Sequence, residues 1–70
     1  MTDKVYKFIE LVGTSSTSWE QAVSNAVETA SKSIRDIRVA EVKDLDIRIT
    51  DGKVAVYRAS VRLSFKYQGE

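Results

Sequence analysis

Asp51-Gly52 sits between two long runs in which apolar and polar residues alternate, "IRVAEVKDLDIRIT" before it and "KVAVYRASVRLSFKY" after it. Asp-Gly supplies the left-handed backbone that a two-residue hairpin turn demands, so the two runs are predicted to be antiparallel strands joined by that turn. Everything else in the chain has to cover this hairpin. In the second run Ala55, Tyr57, Ala59, Val61, Leu63, Phe65 and Tyr67 fall on one face, and Arg58, Ser60, Arg62, Ser64 and Lys66 on the other. The first run changes phase, since Ala40 and Val42 are even-numbered while Leu45, Ile47 and Ile49 are odd. A bulge or bend near Lys43 to Asp44 restores the alternation.

The cover is a helix. Trp19, Ala22, Val23, Ala26, Val27, Ala30 and Ile34 recur at the three- and four-residue steps of one helical face, with Glu20, Gln21, Ser24, Asn25, Glu28, Thr29 and Lys32 on the opposite one. Arg35 near its end suits the negative pole of the helix dipole. Ser18 with Gln21, or Thr17 with Glu20, reads as a capping box in which a hydroxyl accepts an orphan N–H and the later side chain bonds back. Before the helix, "KVYKFIELV" is β-branched and aromatic on both faces, as a short strand covered on both sides would be. Gly13 is expected to let the chain leave that strand with φ above zero.

The order is therefore β-α-β-β, an α+β fold. A helical crossover makes the first two strands parallel, and placing the third between them makes every neighbour antiparallel, which favours the sheet order 1-3-2. A helix of about 17 residues spans ~25 Å, whereas a third strand of about 13 residues spans ~43 Å. The sheet outruns its helix. Residues 1–70 are read as a single domain, and at this size a chain buries only roughly 60% of its unfolded surface. With no Cys and no His, neither disulfide nor zinc can reinforce the core, so assembly through sheet edges and faces is the expected support.

Eleven basic residues against ten acidic ones give a net charge of +1, and Lys4, Lys7, Lys32, Arg35 and Arg38 are scattered. That pattern predicts no nucleic-acid partner. "MTDKVYKFIE" lacks the apolar run of a signal peptide and no stretch approaches the ~18 apolar residues of a membrane span, so a soluble, cytoplasmic protein without a membrane partner is expected. Enzymatic chemistry has little to work with: no histidine base, no thiol, and no glycine-rich phosphate loop. "GTSSTS" presents hydroxyls and N–H groups at a helix start, which serve either as caps or as an anion contact. Glu41, Asp44, Asp46 and Asp51 are either solvated strand residues or oxygen ligands for a hard cation such as Ca²⁺ or Mg²⁺, without the spacing of an EF-hand. Trp19 opens the apolar helix face, as a core or staple residue or as an aromatic platform. Arg58 and Arg62 flank Ser60 on one sheet face, where they are either solvated or turned toward a ligand or interface.

Taken together, "VYKFIELVGTSSTSWEQAV", "IRVAEV" and "DGKVAVYRASVRLSFKY" resemble the dodecin family over nearly the whole chain. The resemblance implies a β-α-β-β protomer whose sheet wraps partly around its helix, a hollow homododecamer, and the storage or sequestration of riboflavin or its phosphate and dinucleotide forms without turnover. It implies flavins stacked on a tryptophan at the start of strand two and hydrogen-bonded by a strand-three glutamine. Those positions correspond here to Val39 and Arg58. Valine lacks the π face, whose stacking is worth about 0.5–1.5 kcal/mol beyond area, and arginine donates but cannot accept. Asp46 falls where some relatives that bind flavin phosphate carry an arginine, and Lys66 matches a second basic position, so Val39, Arg58 and Lys66 are the candidate flavin contacts. "TSWEQA", "IRVA" and "YR" are closer to a calcium-binding subclass without the tryptophan, which makes Asp44 and Asp46 the candidate metal ligands. In that family the "GTSSTSWEQA" stretch is architectural.

Overall fold

A computed structural model describes residues 4–67. Strand β1 (Tyr6–Ser15) leads through a short turn into helix α1 (Trp19–Ser31), and strands β2 (Ile37–Thr50) and β3 (Lys53–Lys66) form the hairpin. The three strands are ordered β1-β3-β2, with both pairings antiparallel. Asp51 and Gly52 both adopt left-handed backbone, φ 52° and 74°, and close the turn between Thr50 and Lys53.

Three irregularities steer the β2–β3 ladder. The pairing skips Arg38 and Lys43 on β2 and Ala55 on β3. The Lys43 bulge is the phase change read from the sequence. It keeps Ala40, Val42, Leu45 and Ile47 on the helix-facing side opposite Leu63, Val61, Ala59 and Tyr57. Ala55 is the skipped residue of the third irregularity and so does not continue the alternation assigned to strand three. The loop into β2 turns at Asp36, whose φ of 61° an aspartate tolerates better than most side chains.

The core is small and made of small residues. Ala22, Ala26 and Ala30 bury one helix stripe against Ala59, Val61 and Leu63 of β3, with Ile9, Leu11, Val23, Val27, Ile34 and Ile37 packed around them. The helix sits close to the sheet because Gly13 allows it. A Cβ built on Gly13 would lie 2.1 Å from the Ala22 carbonyl oxygen and 2.9 Å from the Ala26 Cβ. The expected positive φ at Gly13 is corrected by the structure: among the described residues the only glycine with positive φ is Gly52, and β1 continues past Gly13 to Ser15. The residue is needed for contact distance, not for backbone handedness.

Helix α1 is also shorter than expected, ending at Ser31 with Lys32 as its cap. The Ser33 and Ile34 N–H groups fold back on the Ala30 carbonyl, so Ile34 reaches the core from outside the helix and Arg35 does not lie in its last turn. At the other end Ser18 is the N-cap, its Oγ accepting the Gln21 N–H at 3.0 Å. The return half of the capping box does not form. The Gln21 amide instead donates to Asn25 Oδ1 at 2.9 Å, and the Ser18 N–H reaches Ser15 Oγ at 3.4 Å. Asn25, half-buried and not on a fully solvated face, donates to the Thr14 carbonyl at 2.9 Å and ties the helix to β1.

Thirteen helical residues span ~20 Å, and the chain is 56 Å long. Its radius of gyration, 14.6 Å, exceeds the ~11 Å of a compact chain of this length. The excess is the distal end of the hairpin, where Ile49 and Val54 stay exposed beyond the helix. Among the described residues no helix is long and apolar enough to cross a membrane.

Candidate functional site

Residues paired across a sheet share a face, so the register defines what the side away from the helix carries. Running along it, the cross-strand rows are Tyr6–Lys66, then Phe8–Ser64–Val39, Glu10–Arg62–Glu41, Val12–Ser60–Asp44, and Thr14–Arg58–Asp46. All five candidate residues, Val39, Arg58, Lys66, Asp44 and Asp46, therefore lie on one open face. The face is mixed: Tyr6, Phe8, Val12 and Val39 are exposed apolar groups, and Val39 is 56% exposed.

The charges on this face are organised by two arginines. Arg62 donates to Glu10 Oε2 through Nε (3.2 Å) and an NH2 group (3.0 Å) and lies over the Phe8 ring, 4.4 Å from its centroid. Arg58 meets Asp46 fork to fork, with Nε to Oδ1 at 2.7 Å and NH2 to Oδ2 at 3.2 Å. The Arg58 hydrogen bond, assisted by its charge, holds the Asp46 carboxyl below its ordinary value against a smaller opposing effect of desolvation. Asp44 and Glu41 make no ion pair among the described residues. Neither do the acids form a group of three or more able to hold a metal there, so within one chain Asp44 and Asp46 are a pair of carboxylates and not a closed cage.

The structure separates the two ends of this set. Val39 pairs with Ser64 and Arg58 with Asp46, six residues apart along β3, about 20 Å at strand rise. A ligand touching both positions would need them from different copies. Lys66 lies at the Val39 end, and Asp44 and Asp46 at the Arg58 end.

A contact invisible in the sequence fixes the Arg58 end. Trp19 Nε1 donates to the Asp46 carbonyl at 2.9 Å, and its ring meets Tyr57 edge-on with centroids 5.3 Å apart. The first residue of α1 thereby clamps the strand segment that carries Asp46. Trp19 thus packs at the helix start against Tyr57 and β2 while its ring stays partly exposed. Beside it an open groove of about 230 Å³ runs between helix and β2, lined by Trp19, Glu20, Val23, Val42 and Leu45. Two of the five "GTSSTS" hydroxyls are committed locally: Ser18 caps the helix, and Ser15 Oγ accepts the Thr17 N–H at 2.9 Å.

The chain matches the sequence profile of the Dodecin family over residues 5–68. It is 47% identical over 62 residues to the calcium dodecin of Mycobacterium tuberculosis, covering 89% of this chain and 87% of that one. Identity to the dodecin of Thermus thermophilus is 35% over 65 residues, covering 93% and 94% of the two chains. Among solved structures, the dodecin of Streptomyces coelicolor superposes with a TM-score of 0.94 at 36% identity over the whole of both chains. The calcium dodecin structure, described as having a novel calcium-binding site, does so with a TM-score of 0.82 at 46% identity over 94% of each. With the β-α-β-β topology, the 1-3-2 antiparallel sheet and a match spanning almost every residue, the chain belongs to the dodecin family.

Proposed function

We propose that the protein is a non-enzymatic small-ligand-binding shell of twelve copies, that the open sheet face is where ligand is held, and that this ligand is Ca²⁺ rather than a flavin. The observation that carries the reading is Asp44, a carboxylate on the open face that makes no ion pair among the described residues, one row from Asp46. The name of the calcium dodecin relative supports the same ion. Calcium takes six to eight oxygen ligands in flexible geometry, while Mg²⁺ demands a tight octahedron, so two strand carboxylates completed by copies and water suit Ca²⁺ better. Assembly is supported by the elongated protomer and its exposed apolar residues, which a solitary chain of this size would leave in water.

A second reading, a flat or anionic ligand of the flavin kind, is favoured by one observation: exposed Val39 and half-buried Lys66 lie in adjacent rows at the other end of the same face. It meets two obstacles, the missing aromatic ring at Val39 and the engagement of Arg58 by Asp46.

Thermal unfolding of metal-free protein with and without calcium tests the first reading. A ligand at 100 times its Kd stabilises by ~2.7 kcal/mol, a shift on the order of 10 °C for a domain of this size. The shift is expected in the wild type and absent in Asp44→Ala and Asp46→Ala. No shift at millimolar calcium sinks it. Riboflavin and riboflavin phosphate titrations, followed by quenching of flavin fluorescence, decide the second: quenching by the Val39→Trp variant alone is expected, and strong quenching by the wild type would put flavin first.

A further inference from the structure

The Arg58–Asp46 pair uses the guanidinium edge, Nε with NH2, that arginine offers to a phosphate or carboxylate from outside. Asp46 thus occupies Arg58 as an external anion would. The converse also holds, because both Asp46 oxygens face a fixed cation, which stands where a metal ion would approach them. The surroundings sharpen this opposition. Along β2 the open face carries Asp44 on one side of Asp46 and Arg48 on the other, while the β1 partner of Arg58 is the uncharged Thr14. Half of each side chain remains exposed, so the pair can open without disturbing the core, and the Trp19 bond to the Asp46 carbonyl keeps the strand in place when it does.

We propose that Asp46 and Arg58 form a reciprocal latch that sets the sign of charge the open face accepts. Asp46 is the specificity-determining residue that withholds Arg58 from phosphate-bearing small molecules, and Arg58 is the residue that weakens Asp46 as a ligand for a divalent cation. Loss of either partner releases the other toward ligands of opposite charge. The calcium half of this statement rests on the cation reading above; the anion half does not.

The test uses the assembled, metal-free protein as wild type, Asp46→Asn, Arg58→Gln and the double variant, titrated calorimetrically with Ca²⁺ and separately with inorganic pyrophosphate at low salt. Asn and Gln preserve shape, and Trp19 emission reports whether the clamp on the strand is intact. Arg58→Gln is expected to bind Ca²⁺ about two- to five-fold more tightly than wild type, and Asp46→Asn to gain pyrophosphate affinity by a similar factor, the range that an exposed ion pair supports. The double variant gains neither, and both gains shrink as salt screens the charges. Wild-type calcium affinity retained unchanged in Arg58→Gln, with no pyrophosphate gain in Asp46→Asn, overturns the latch and leaves the cation reading standing. Absence of calcium binding in both wild type and Arg58→Gln, with a pyrophosphate gain in Asp46→Asn, sinks the cation reading and supports the latch.

Discussion

Gly13→Ala adds one methyl group at the closest approach of helix and sheet. That Cβ would stand 2.1 Å from the Ala22 carbonyl oxygen, 1.3 Å inside the 3.4 Å at which ordinary contact begins, and 2.9 Å from the Ala26 Cβ. The first obstacle is helix backbone, which cannot rotate away as a side chain can. Helix α1 has to move off β1 by about an ångström, and the same movement loosens Ala22, Ala26 and Ala30 against Ala59, Val61 and Leu63. Overpacking of this kind costs about 1–3 kcal/mol, and a backbone clash belongs at the upper end. A chain of 70 residues has roughly 4–10 kcal/mol in total, so the variant loses a large share of its stability. Urea unfolding at fixed protein concentration is expected to show the midpoint falling by about 1–3 M for m values of 1–3 kcal/mol/M. Gly52→Ala is the control. Its Cβ meets nothing within 4 Å but takes a φ of 74°, so it costs about 1–2 kcal/mol through backbone strain alone. A Gly13→Ala midpoint within about 0.3 M of wild type would refute the close-approach argument.

Three further outcomes follow from the same contacts. Ser18→Ala is expected to cost about 1 kcal/mol by removing the cap on the Gln21 N–H, whereas Thr17→Ala leaves stability unchanged; equal losses in urea titrations would contradict the assignment of the cap. Trp19→Phe keeps an aromatic edge for Tyr57 but deletes the donor to the Asp46 carbonyl, with an expected loss of about 0.5–1.5 kcal/mol and faster amide exchange in the neighbouring β2 segment; unchanged exchange would show that the clamp is inert. For pH, the folded Asp46 carboxyl lies below its ordinary value, so its contribution is fully present above the unfolded value of about 3.9 and is lost as pH falls through the folded one. Asp46→Asn should therefore flatten that part of the acid limb of stability against pH, and an unaltered limb counts against the pairing.

The fold was legible because its signals are local and agree. Two-residue alternation marks the strands, the Asp-Gly pair marks the turn, and the parity change between Val42 and Leu45 betrays the Lys43 bulge. The site was less legible because pairing depends on register, and register also on a slip near the turn that leaves no mark in the pattern. Counting back from the turn, Ile49 opposes Val54, and an uninterrupted ladder would set Asp46 against Tyr57. The one residue skipped at Ala55 sets Asp46 against Arg58 instead. No composition or spacing rule announces that slip, so both residues were nameable as candidates while their pairing was not. The role of Gly13 is hidden for a related reason. A glycine at the end of an apolar run signals a turn, and only its juxtaposition with the four-residue spacing of Ala22, Ala26 and Ala30 signals close approach. The pattern overstates the helix because Ile34 keeps the helical phase although the chain has already turned.

The irregular outer ladder also bears on how copies can accumulate without harm. β2 is an edge strand of 14 residues, and a flat edge of that length is a template for endless strand addition. Both residues that the pairing skips on it, Arg38 and Lys43, are cations, and each one breaks the regular repeat of free N–H and carbonyl groups. An identical strand laid against this edge meets a kink and a positive charge before a fibrillar stack can build. Open-ended strand addition along this edge is thereby blocked, and the chain can reach high concentration without seeding amyloid.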